Sequence, residues 1–182
     1  HLLFPSEQDV FAFQALLCLE TGLPPTSIRY LKVNCLKNEK GGFVDLLYIK
    51  QRRGVITEFT KRVSASGKYS VGSIVKKFLS ISKLARNYAP EGNRDYLFVG
   101  CALGNNSVPF GCRHLDLKVS STNQARSFVA RHAITQSDGQ PLHQLTLERL
   151  KKPHPPSRYR DFGGSLVDTA SRDKTPRTTA TN

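Results

Sequence analysis

The stretch LTLERLKKPHPPSRYRDFGG, residues 145–164, begins like a helix that carries cations and then breaks on Pro153, Pro155 and Pro156. Lys151, Lys152 and His154 crowd the break, and Tyr159 follows between Arg158 and Arg160. A second cationic group, Lys50, Arg52 and Arg53, stands much earlier in the chain, with Lys61 and Arg62 behind it. Arg29 is isolated among apolar residues. Side chains of these types, gathered in one place, hold anions. Residues 50–86 carry ten lysines and arginines against one acid, Glu58, which is the pattern of phosphate contacts on duplex DNA.

The whole composition agrees. A formal net charge of +13 on 182 residues favours a polyanionic partner, with nucleic acid the usual one. A membrane surface is the rival, but no run of about 18 apolar residues exists to span a bilayer. No basic region followed by an apolar run marks a signal peptide, so the expected location is cytoplasmic, at the nucleoid. The chain starts at His1, has no Met, and reads as a piece of something longer. Cys18, Cys35, Cys101 and Cys112 form no C-x-x-C pair, and His114 beside Cys112 does not make a metal site. They are expected to be reduced thiols, with no metal or cofactor bound.

The elements that must position these residues are legible in outline. Ser6 before Glu7, Gln8 and Asp9 is a capping-box opening, and Val10, Phe11, Phe13, Leu16, Leu17 and Leu19 recur at helical spacing until Gly22. Pro24 and Pro25 start a second short helix that buries Ile28, Leu31 and Val33. Residues 43–63 read as a β-hairpin with its break at QRRG. Ser70 introduces a strongly amphipathic helix. Its stripe is Val71, Ile74, Val75, Phe78, Ile81, Leu84, Ala85 and Tyr88, with Lys76, Lys77, Lys83 and Arg86 outside it. DYLFVG is extended, residues 100–121 are Gly-, Asn- and Ser-rich and read as a loop, and TNQARSFVARHAI is a helix. The last element starts near Thr146. Beyond Pro153 only Phe162, Leu166 and Val167 are strongly apolar, too few to offset ordering entropy, so residues 153–182 are expected to be a disordered basic tail behind one domain, 1–152.

This order of elements resembles the catalytic domain of the tyrosine recombinases, the phage-type integrases, and its second half is closest to the actinobacterial type. LLCLETGLPPTSIRYLKV is similar to the family's helix, T-G-L turn and second helix. FVDLLYIKQRRG with ITEFTKRV is similar to its three-stranded sheet and lysine-bearing hairpin, and SDGQPLHQLTLERLKKPH to the approach to its H-x-x-R helix. The resemblance implies an α+β fold, mainly helical, with a small antiparallel β-sheet. It also implies the chemistry. A tyrosine attacks a DNA phosphodiester, two arginines and a histidine stabilise the charge on the phosphate, and the hairpin lysine protonates the leaving oxygen. No metal, cofactor or small-molecule substrate enters that reaction. Double-stranded DNA and other recombinase subunits are the implied partners.

Matched residue by residue, Lys50 takes the hairpin lysine's place, Lys151 that of the second arginine, and His154 the last position of the motif helix. Lys50 and Lys151 are expected to face one basic concavity. Arg29, Arg52, Arg53, Lys61 and Arg62 are the expected DNA contacts, although Arg29 alone also reads as a solvated cation. The departures are specific. Pro24 stands where the first arginine belongs and Glu148 where the histidine belongs, and Lys151 keeps charge without guanidinium geometry. Pro153 disturbs the helix that would aim His154. The nucleophile's place, counted on from Lys151, falls at TPRTTATN, which has no tyrosine, and Tyr159 comes too early. The expectation is a DNA-binding recombinase remnant, unable to cleave strands alone. A non-enzymatic basic nucleic-acid-binding module is the alternative, and a basic structural or ribosome-associated protein is the third reading.

Overall fold

A computed structural model describes residues 4–52, 54–103, 109–116, 121–136, 138–142 and 145–151. The expected tail, 153–182, lies outside the described residues, as do Arg53 and His154.

The chain opens with α1 (Glu7–Thr21), and the capping box is present. The Ser6 hydroxyl accepts from the Asp9 amide at 3.3 Å, and the Asp9 carboxylate accepts from the Ser6 amide at 2.8 Å. Gly22 ends the helix in the left-handed region (φ 63°), where a side chain would be strained. Val10, Phe11, Gln14, Ala15, Leu17, Cys18 and Thr21 are all buried, a wider arc than one stripe, because neighbours wrap α1 on several sides. Leu19, expected on the apolar face, is 40% exposed. α2 (Pro25–Arg29) follows, with Pro24 as N-cap, and buries Ile28 and then Leu31.

β1 (Leu36–Lys40), β2 (Phe43–Arg52) and β3 (Val55–Ser64) form an antiparallel sheet in that order. The hairpin is in continuous register from Phe43↔Ser64 to Arg52↔Val55. Val44, Leu46 and Tyr48 point into the core at the strand period of two. α3 (Val71–Tyr88) lays Val71, Ile74, Val75 and Phe78 against the same core, where the Phe78 ring meets Phe13 and Phe98 at 5.0 Å each. Tyr88, assigned to the stripe, is instead 69% exposed, at the end of the helix.

Arg86 also departs from expectation. Its guanidinium turns inward and donates to the carbonyls of Arg94, Tyr96 and Leu97 and to the Ser82 hydroxyl, at 2.6 to 3.1 Å. This cation organises a turn rather than a solvated face. It pins α4 (Glu91–Arg94) and the following extended segment onto α3.

The region expected to be a loop holds two strands, β4 (Val99–Leu103) and β5 (Pro109–His114), paired antiparallel. Val99, Cys101 and Cys112 pack with Ala85 and Ala89, so a few buried residues sustain strands that the Gly/Asn/Ser composition hid. The cysteine expectation is corrected here too. Cys101 and Cys112 face each other in register and form a disulfide, with Cα atoms 4.2 Å apart. Cys18 and Cys35 are free and buried. Once the two strands pair, the thiols lie side by side, which no sequence spacing announced.

α5 (Ser121–Arg131) and α6 (Leu147–Lys151) close over α1. Ala125 and Leu147 join the main core, the rings of Phe11 and Phe128 meet at 5.6 Å, and Gln124 donates to Glu7 at 2.6 Å. The architecture is α+β: helices packed about α1, with a three-stranded sheet along one side. Among the described residues no helix is long and apolar enough to cross a membrane.

Candidate nucleic-acid interface

Two elements meet where the sequence places its cations. The Ser27 hydroxyl, on α2, donates to the Ile49 carbonyl at 2.7 Å. That bond fixes α2 beside the end of β2, one residue from Lys50 and two from Arg29.

Lys50 shares the strand face of Val44, Leu46 and Tyr48 and is the position where that inward row reaches solvent. Its ammonium lies 5.0 Å from the Phe59 ring and 5.4 Å from the Tyr48 ring. Those rings are cross-strand partners stacked at 5.8 Å. The cation is therefore steadied from below by two quadrupoles. Burial raises the pKa of the Tyr48 hydroxyl, so the ring stays neutral beneath it.

Arg29 is not a solvated cation. It is 7% exposed, and its Nε has no hydrogen-bond partner among the described residues. Its charge acts on Cys18, as does that of Glu148 on α6. Burial pushes the Cys18 thiol up to about 12, with Arg29 pulling it down and Glu148 pushing it further up. Arg29 on α2 and Glu148 on α6 are thus both within electrostatic reach of Cys18 on α1. A buried arginine with an unmet donor has spare capacity for an anion.

The remaining expected contacts divide. Arg52 is the last residue of β2, and its side chain lies outside the described residues, as Arg53 does altogether. Lys61 donates to the Thr21 carbonyl at 2.8 Å and so caps α1, whose last turn has no basic residue of its own. Arg62 pairs with Asp45 at 2.8 Å and donates to the carbonyls of Asn38 and Lys40, tying the β1–β2 turn together. The same bond, with one from Asn38, holds the half-buried Asp45 carboxyl below its usual pKa. Lys61 and Arg62 therefore have structural roles that the hairpin register explains and their charge did not. Lys151 closes α6, but its side chain is outside the described residues, so the shared concavity with Lys50 is too.

Sequence reasoning missed a ring cluster at the end of α2. His114 stacks on Tyr96 with centroids 4.0 Å apart and planes 12° from parallel, and Tyr30 lies 5.8 Å from His114. Lys32 sits 3.5 Å from the Tyr96 centroid. The Lys32↔Tyr96 bridge, the flanking Leu97–Leu31 and Val33–Asp95 backbone bonds and the His114–Arg29 bond bring these residues together, so no local pattern foretells them. Among the described residues no three His, Cys, Asp or Glu side chains gather as a metal site.

No family model matches the chain, and no curated protein matches its sequence. Among solved structures the chain is similar to the XerH site-specific recombinase, seen in a post-cleavage complex on a palindromic difH substrate, with a TM-score of 0.55 at 12% identity. The match covers 95% of this chain and 42% of that one, so the chain spans less than half the length of the protein it matches. At that identity the likeness is one of fold: the architecture described above is recombinase-like.

Proposed function

We propose that this chain is a DNA-binding relative of the site-specific tyrosine recombinases that does not cleave strands on its own. The observation that carries this reading is the fold, similar over 95% of the chain to a recombinase solved on its DNA substrate, combined with a net charge of +13. The arrangement of α2 against β2 supports it. Arg29, with an unmet buried donor, and Lys50, steadied on two rings, stand on elements joined by the Ser27–Ile49 hydrogen bond. Lys50, Lys151 and His154 take the family's catalytic positions, and Arg52 and Arg53 extend the cationic hairpin toward the duplex. Lys61 and Arg62 contribute field rather than direct contacts.

The loss of cleavage rests on sequence. Pro24, Glu148 and Lys151 alter three phosphate-binding roles, and the residues reached by the family's count from Lys151, TPRTTATN, include no tyrosine. A phosphotyrosine bond needs a hydroxyl in line with phosphorus, held rigidly. Other recombinase subunits are partners in this reading, able to supply that tyrosine.

Two measurements test it. Duplex affinity should fall steeply between about 50 and 200 mM salt and depend little on sequence, while salt-independent binding contradicts the proposal. Incubated alone with a nicked suicide duplex, the chain should give no detergent-resistant protein–DNA band. A band lost in Tyr159→Phe would overturn the non-cleaving half.

A further inference from the structure

The disulfide sits at a junction rather than at the end of a surface hairpin. On the β4 side, the Cys101 amide donates to the Pro5 carbonyl at 2.9 Å. Gly100 lies so close that a Cβ there would stand 2.6 Å from the same oxygen. β4 therefore holds the chain immediately before the cap of α1. On the β5 side, two consecutive residues after Cys112 and Arg113 reach the helices. The His114 Nε2 lies 2.9 Å from the Arg29 carbonyl, an acceptor, so Nε2 carries the proton and donates. Leu115 accepts from the buried Gln14 of α1 at 3.4 Å. His114 is further fixed by its stack on Tyr96. Arg29 is the last residue of α2, so the base of its side chain is placed by the same backbone whose carbonyl accepts from His114.

We infer that the Cys101–Cys112 bridge is a redox-sensitive staple that sets the alignment of α2 and Arg29 through His114. A dithiol reductant supplies two electrons and two protons: the sulfur–sulfur bond breaks, Cys101 and Cys112 become thiols, and the reductant leaves as its own disulfide. What remains of the β4–β5 pairing is a short ladder with a register irregularity beside Cys101. The ladder alone leaves β5, and His114 with it, free to fray. In the reduced state α2 loosens and the anion-facing Arg29 loses its aim. The effect on DNA rests on the DNA-binding reading above, whereas the effect on α2 does not.

The experiment compares air-oxidised protein with protein in excess dithiothreitol by hydrogen exchange and by duplex binding, with circular dichroism confirming the fold. Reduction should raise amide exchange over residues 27–31 several-fold and weaken duplex binding about tenfold, a change of roughly 1.4 kcal/mol. His114→Leu should reproduce both changes without reductant and respond little to it. His114→Gln, which keeps an N–H donor, should restore part of the oxidised behaviour. A Cys18→Ala/Cys35→Ala variant should respond like the parent. Four free thiols in the air-oxidised protein, or equal α2 exchange in both states, would overturn the staple. So would a reductant effect on His114→Leu as large as on the parent. Changed exchange with unchanged DNA affinity supports the staple and counts against Arg29 as a DNA contact. No DNA binding in either state defeats the functional proposal, while exchange still decides this one.

Discussion

Lys61→Met separates the two roles a cation on this hairpin can have. The native ammonium donates to the Thr21 carbonyl at 2.8 Å, and Thr21 is fully buried. Methionine keeps the stem's length and apolar packing but removes the donor. The Thr21 carbonyl, at the negative end of α1, is then left without that donor, at a cost of roughly 1–3 kcal/mol for an unmet buried acceptor. Lys61 is half-buried, which trims the charge-assisted part, so about 2 kcal/mol is the expected loss. For a domain of this size that lowers Tm by roughly 4–8 °C and shifts the urea midpoint at unchanged slope. A lost phosphate contact, by contrast, would flatten the dependence of log affinity on log salt by about 0.9. Lys61→Met should therefore destabilise the fold and leave the salt slope intact, while Lys50→Met should do the reverse. An unshifted urea midpoint with a flattened salt slope in Lys61→Met would refute the capping role and return Lys61 to the DNA interface.

Three further outcomes are expected. Phe78→Ala removes a fully buried ring held between Phe13 and Phe98 and should cost about 3–5 kcal/mol in urea unfolding, and a cost under about 1 kcal/mol would mean the core is not packed as described. Ser6→Ala, which breaks the capping box, should cost about 1 kcal/mol, seen as a Tm lower by roughly 2–4 °C. Cys18 and Cys35 are both raised by burial to about 12, so the native protein should not react with an aromatic disulfide reagent at pH 8. Because the unfolded thiols ionise near 9 and the buried ones resist, stability should fall as pH climbs from about 9 toward 12. A Cys18→Ala/Cys35→Ala variant should lose that part of the alkaline slope.

The helices and the long hairpin were legible because their signals are local. Ser6 with Asp9, Gly22, Pro24–Pro25 and the 3.6-residue recurrence from Val71 to Ala85 each act within a turn or two of chain. The alternation in 43–63 likewise dictates which side chains face the core. What was hidden is long-range. Cys101 and Cys112 look like unrelated thiols until two weakly patterned strands pair, and Arg86 looks like a solvated cation until three carbonyls of residues 94–97 curl around it. Arg29 shows the limit most clearly. Its neighbours at buried positions are Ser27 and Ile28, but only tertiary packing, with α2 against α1 and β2 and with His114 on its carbonyl, makes its own position an interior one. At the candidate interface, charge foretold an anionic partner. It did not say which lysines already had a carbonyl to hold.

The wrapping of α1 carries a consequence for how the protein is made. Residues of α1 are completed by residues more than 100 positions later: Glu7 by Gln124, Phe11 by Phe128, Gln14 by the Leu115 carbonyl, and the α1 surface by Leu147 of α6. During synthesis the first helix leaves the ribosome long before the elements that cover it. Until roughly the whole described span has emerged, Val10, Phe11, Leu17 and Cys18 lack part of their cover, and the nascent chain presents an apolar helix to whatever is near. Folding of this domain should therefore be late and all-or-none, limited by closing the long loops between α1 and α5–α6. A chain ended before α5 should not accumulate a folded N-terminal half. It should be a client of chaperones, with the strong hairpin formed and the central helix still searching for its walls.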